Sequence, residues 1–134
     1  MFKQRGQTDI GIRCMVKCDN LQNTTIRIQL IRSNDSIVSI STRGKILWQD
    51  LELENRSEAK FKGTCSDNDF TDLNIKIPSS MVNPLKDIGP YLCQVSAWTP
   101  DVGLIKKDSQ IVMLNITGNQ GYLFSLKYFQ FVYA

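Results

Sequence analysis

Period-2 alternation runs through most of this chain and constrains its fold more than any other feature. Ile10, Ile12, Cys14 and Val16 fall on one side of an extended segment, with Gly11, Arg13 and Met15 on the other. That is the pattern of a strand with one face in a core and one in solvent. Ile26, Ile28 and Leu30 alternate with Arg27, Gln29 and Ile31, and Leu73, Ile75 and Ile77 alternate with Asn74 and Lys76. Tyr91, Cys93, Val95 and Ala97 make a further set, and residues 111–116 alternate in a last strand ending at Gly118. Shorter apolar pieces at 37–40, 46–48 and 51–53 lie between polar breaks, and residues 78–90, with three of the four prolines, read as a connection holding one helical turn. Eight or so short strands with turns between them predict a β-sandwich or barrel.

Charge and residue usage narrow the function. The chain has 134 residues, 42% hydrophobic and 22% charged, which suits one soluble core rather than two. A net charge of +3 with no basic stripe argues against a nucleic-acid partner or an anionic membrane. The sequence contains no histidine, which removes Ser-His-Asp and Cys-His catalysis and His-ligated zinc. Glu52, Glu54 and Glu58 alternate along a strand or turn and read as a solvated edge rather than an acid–base pair across a cleft. Asp67, Asp69 and Asp72 lack the glycine and the spaced glutamate of a calcium loop. Neither a phosphate loop nor a nucleophile motif is visible, so no enzyme activity, metal or cofactor is expected.

Four cysteines in so small a chain suit a disulfide framework, with three connectivities open. Cys14 and Cys18 have the spacing of one zinc knuckle, but Cys65 and Cys93 supply no second one. Sequons stand at Asn23, Asn34, Asn55 and Asn115, whereas nine Asn should give roughly one by chance. Both observations favour a secreted or extracellular setting. The N-terminal MFKQRGQTDIG has no apolar stretch of the kind a signal peptide carries, so the chain reads as a fragment of a longer secreted or membrane-anchored protein, or as an incomplete gene product.

The most specific stretch is Asp87-Ile88-Gly89-Pro90-Tyr91-Leu92-Cys93. It resembles the D-x-G-x-Y-x-C signature of the immunoglobulin superfamily, in which the tyrosine forms the tyrosine corner at the start of strand F. Lys60-Phe61-Lys62-Gly63 is similar to the R-F-x-G start of strand D in variable-type domains, and residues 69–75 resemble the strand E that follows. Residues 10–16 look like strand B and residues 26–32 like strand C. The resemblance covers about residues 8–118 and implies an all-β, two-sheet antiparallel Greek-key sandwich of the variable type. It makes Cys14 the partner of Cys93 and pairs Lys60 with Asp87. Closing a loop of that length stabilises a fold by roughly 4 kcal/mol. Ile26 or Ile28 stands where the family places a core tryptophan, and Trp48 comes too late to replace it.

The same topology brings Cys18 and Cys65 to one pole, which implies a second bridge; the alternative is two unpaired or intermolecular thiols. Residues 98–108 form the implied F–G loop. Within it Trp98, Lys106 and Lys107 are candidate binding residues, with packing of Trp98 on the domain's own sheet as the alternative. Glycans at Asn23 and Asn34 would flank strand C. The long F–G segment, the missing tryptophan and the extra cysteines are similar to divergent invertebrate immune domains, including the immunoglobulin domains of mollusc fibrinogen-related lectins. The expected function is non-catalytic recognition of a protein or glycan surface, in immune recognition or cell adhesion, beside neighbouring domains of a longer chain. A glycosylated, disulfide-bonded spacer is the alternative. Residues 119–134 hold six of the ten Tyr and Phe residues yet are too short to span a bilayer. They read as the start of a next domain, an added strand or non-native sequence.

Overall fold

The computed structural model describes residues 9–17, 25–41, 46–62, 70–99, 103–108, 111–114, 116–117, 121–122 and 129–132. Cys18, Cys65, Asn23 and Asn115 lie outside them.

Each long alternating segment is a strand. Ile10–Lys17 forms β1, Thr25–Arg32 β2, Asp35–Ser41 β3 and Leu47–Trp48 β4. After a short helix, α1 (Leu51–Arg56), come β5 (Glu58–Lys62), β6 (Phe70–Ile77), a 3-10 turn at Ser79–Met81, and β7 (Gly89–Thr99). The chain continues through β8 (Gly103–Asp108), β9 (Val112–Leu114), β10 (Ile116–Thr117), β11 (Gly121–Tyr122) and β12 (Phe129–Val132). One sheet has the order β12-β1-β6-β5 and the other β4-β3-β2-β7-β8, with β9 continuing beside β7; β10 and β11 pair with each other. Strand pairing is antiparallel throughout except at one edge. There β12 runs parallel to β1, with Cys14 opposite Phe129.

The alternation sets which side chains meet between the sheets. Ile10, Ile12, Cys14 and Val16 from β1 face Leu30, Ile28 and Ile26 from β2 and the β7 set Tyr91, Cys93, Val95 and Ala97, all of them buried. Ile26 and Ile28 are each 1% exposed, so two isoleucines fill the region expected of the missing tryptophan. Trp48 is half-buried against the margin of this core.

Three readings are corrected. Residues 51–53 are helical rather than extended: Asp50 caps the helix by accepting from the Leu53 N–H at 3.0 Å, and Leu53 turns into the core. Glu52 and Glu54 therefore share the first turn of α1 and do not alternate along a strand. The segment 98–108 is a β-hairpin more than a loop, since β8 pairs with β7 from Gln94↔Asp108 to Thr99↔Gly103. Gly103, at φ 85°, adopts the left-handed backbone that begins the return strand.

Candidate functional site

Two regions gather the residues singled out by sequence. The first is the pole where β2, α1 and the start of β7 meet. Cys14 and Cys93 are bonded across the sheets, with Cα atoms 6.0 Å apart and both side chains buried. Beside them Tyr91 is 1% exposed, and its hydroxyl donates to the Asp87 carbonyl oxygen at 2.7 Å. Gly89 has φ 126°, and a Cβ there would come within 3.0 Å of the Ser33 Oγ, so the glycine of the motif serves both conformation and close approach.

Asp87 is fully buried, and its partner is not Lys60. Arg56 binds it with two nitrogens, at 2.7 and 2.8 Å, and the Asn83 N–H donates to it at 2.7 Å. Lys60 is exposed on the outer face of β5, opposite Asn74, and makes no ion pair with Asp87. Arg56 replaces it because the last turn of α1 delivers a guanidinium to the spot, braced by Glu52 one turn earlier at 2.6 and 2.9 Å. Arg32 joins the cluster through Asp50 at 2.8 Å and lies 3.7 Å from Asp87. Burial pushes the Asp50 carboxyl up, but the Leu53 N–H and Arg32 outweigh it and hold the group below its ordinary value. The sequence signal for this network was the capping aspartate followed by Glu52 and Arg56 at helical spacing.

Burial pushes the Tyr91 phenol up to about 12, with Arg32 opposing the shift. A folded-state value above the unfolded one means that the stabilisation is complete below pH 10 and lost as pH rises toward 12. Urea titrations on either side of pH 10 should therefore show an alkaline decline that Tyr91→Phe abolishes. The same variant should cost about 1 kcal/mol at neutral pH through the lost hydrogen bond. An identical decline in the variant would assign the titration to another group.

The crossing disulfide, the tyrosine corner and the strand order decide the architecture. This is a V-type immunoglobulin-like fold. Among solved structures, the V-type domain is similar to the V domain of amphioxus IgVJ-C2, at 19% identity over 82% of this chain and 92% of that chain, with a TM-score of 0.48. No family model and no curated protein matches the chain.

The second region is the outer face of the β4-β3-β2-β7-β8 sheet. Register sets its rows: Thr25, Trp98 and Leu104 lie side by side, then Ser41, Arg27, Ser96 and Lys106, then Leu47, Ser39, Gln29, Gln94 and Asp108. Trp98 is 61% exposed and Leu104 53%. Beyond the polar row, Met113 on β9 faces outward beside Pro90 with half of its surface exposed. The outer face of the other V-domain sheet has a different character. There Arg13 pairs with Asp72, Lys76 with Asp9, and Glu58, Lys60 and Asn74 lie near them, as expected of a solvated surface.

Sequence reasoning placed Trp98 and Lys106 together, and both stand on this face. Lys107 pairs with Val95 in register, between Lys106 and Asp108. Arg27 and Leu47 were missed because a period-2 reading assigns a face without saying which strands lie side by side, and Leu104 because 98–108 reads as a loop, in which no face is assigned. Asn34 is exposed at the β2–β3 hairpin tip, where Ser33 and Asn34 have φ 51° and 72°. Asn55 is exposed in the last turn of α1. Both lie toward the Tyr91 end of the sheet, away from Trp98.

Proposed function

We propose that this V-type domain is an extracellular, non-catalytic recognition module that engages a partner surface through the outer face of the β4-β3-β2-β7-β8 sheet. One observation carries the reading: Trp98 and Leu104, neighbours in register and each more than half exposed, form an apolar pair on one sheet face, with exposed Leu47 at its β4 edge, while the opposite face is laced with ion pairs. Exposed apolar clusters with a polar surround mark interaction sites, and tryptophan is prominent among interface hot spots. A spacer has no use for such a face. Glycans on Asn34 and Asn55 would leave it open, since both sequons lie toward the other end of the sheet. Asn23, two residues before Thr25 of the Trp98 row and so the one sequon near that end, and Asn115 complete the proposed glycosylation set, and a Cys18–Cys65 bridge the proposed disulfide set; non-reducing peptide mapping of secreted protein checks both.

The test is to probe an array of extracellular proteins and glycans with the tetramerised domain, alongside Trp98→Ala and Leu104→Ser variants. Because both side chains are exposed, each variant should change stability by less than about 0.5 kcal/mol while abolishing the wild-type hits. Hits that survive both substitutions would place recognition elsewhere, and an empty array would favour the spacer.

A further inference from the structure

Between the Trp98–Leu104 row and the polar row of the recognition face runs a cationic one. Arg27 on β2 and Lys106 on β8 flank Ser96 on β7, and both cations are exposed. Neither has an ion-pair partner among the described residues, in contrast to Arg13, Arg32, Arg56 and Lys76, which all do. Asp108 is the one carboxylate in these three rows, and Gln94 holds its Oδ1 at 3.0 Å. Strand spacing sets the two cations about 10 Å apart, and the rise of a strand sets the Trp98–Leu104 row about 7 Å from them.

We propose that the occupant of this face is an acidic protein surface, presenting two carboxylates about 10 Å apart beside a large apolar side chain. The inference rests on the recognition reading above and names the partner's chemistry. Size admits a protein: β3, β2, β7 and β8, with two-residue β4 at their edge, give a face of roughly 20 by 25 Å, about 500 Å² in projection and the scale of a small, transient protein contact. Leu104 beside Trp98 favours it too, since a branched aliphatic side chain offers a sugar ring neither a flat stacking face nor a hydrogen bond. A second copy is a poor occupant. A two-fold contact centred on the cationic row would bring four cations together against only the two Asp108 carboxylates.

Selection of a displayed random-peptide library on the full chain tests the proposal, with Trp98→Ala and the double variant Arg27→Glu/Lys106→Glu in parallel. Thermal melts of each variant confirm that it is folded. Enriched peptides should combine Asp or Glu with a large apolar residue. They should lose about tenfold or more in affinity against the charge-reversed variant, and should weaken with added salt. If Trp98→Ala abolishes binding while charge reversal leaves it intact, the recognition face stands and the acidic partner falls. If neither substitution matters, both readings fall. Neutral or basic enriched peptides, or no enrichment over the charge-reversed variant, overturn the proposal. So does binding of heparin in place of any peptide.

Discussion

Replacing Cys14 and Cys93 together by alanine should lower the unfolding free energy by about 4.5 kcal/mol, the chain-entropy value for opening a loop with a sequence separation of 79. Lost packing adds to this, since both residues sit in the centre of the core. A domain of this size has only about 5–15 kcal/mol of net stability, so the variant should be largely unfolded at body temperature or melt far below the wild type. Urea denaturation of the oxidised, reduced and double-alanine proteins measures it. A loss below about 1 kcal/mol would mean that the two sheets hold together without the cross-link and that the core contributes more than its burial suggests.

The second large effect belongs to Asp87. It is a fully buried carboxylate whose charge is met by two Arg56 nitrogens, with Arg32 nearby, and the Asn83 N–H and the tyrosine corner fasten the same turn. Removing one member of a buried pair leaves the other uncompensated, at a typical cost of 3–5 kcal/mol. Asp87→Ala should therefore destabilise by about 3 kcal/mol, the low end of that range, because Arg56 keeps Glu52 and Arg32 keeps Asp50 while both lose the buried carboxylate and the Asn83 N–H loses its acceptor. Lys60→Ala should change stability by less than about 0.5 kcal/mol, since that side chain faces solvent on β5. Equal costs for Lys60→Ala and Arg56→Ala would restore the pairing expected from sequence. A double-mutant cycle of Arg56→Met with Asp87→Leu isolates the coupling.

The contrast between those lysine and arginine variants shows where sequence reading succeeds and where it stops. Alternation located the long strands and their inward sets, and the run from Asp87 to Cys93 located the corner, because both are local patterns tied to a single strand. The partner of Asp87 was not legible in the same way. Two cations four residues apart both lay near the required place, and only the helix capped by Asp50 decides which one reaches the pole. The candidate site is subject to the same limit. Trp98 and Lys106 stand eight residues apart and were visible as neighbours in a hairpin segment, but Arg27 and Leu47 come from strands distant in sequence. Their alignment with Ser96 and Gln94 depends on the pairing of β2 with β3 and β7, a long-range register that no local pattern encodes. An added strand is one reading of residues 119–134, but its parallel pairing with β1 is not legible in sequence, since a parallel pair needs a long connection and carries no turn signature.

The central claim is that the Trp98 face is open and free to receive a partner. Collisional quenching of tryptophan fluorescence by acrylamide, in a Trp48→Phe background that leaves Trp98 as the sole emitter, measures this directly. The account predicts red-shifted emission and efficient quenching that does not change with protein concentration. Blue-shifted emission resistant to quencher would show the face already covered, by the chain itself or by a second copy, and would contradict it.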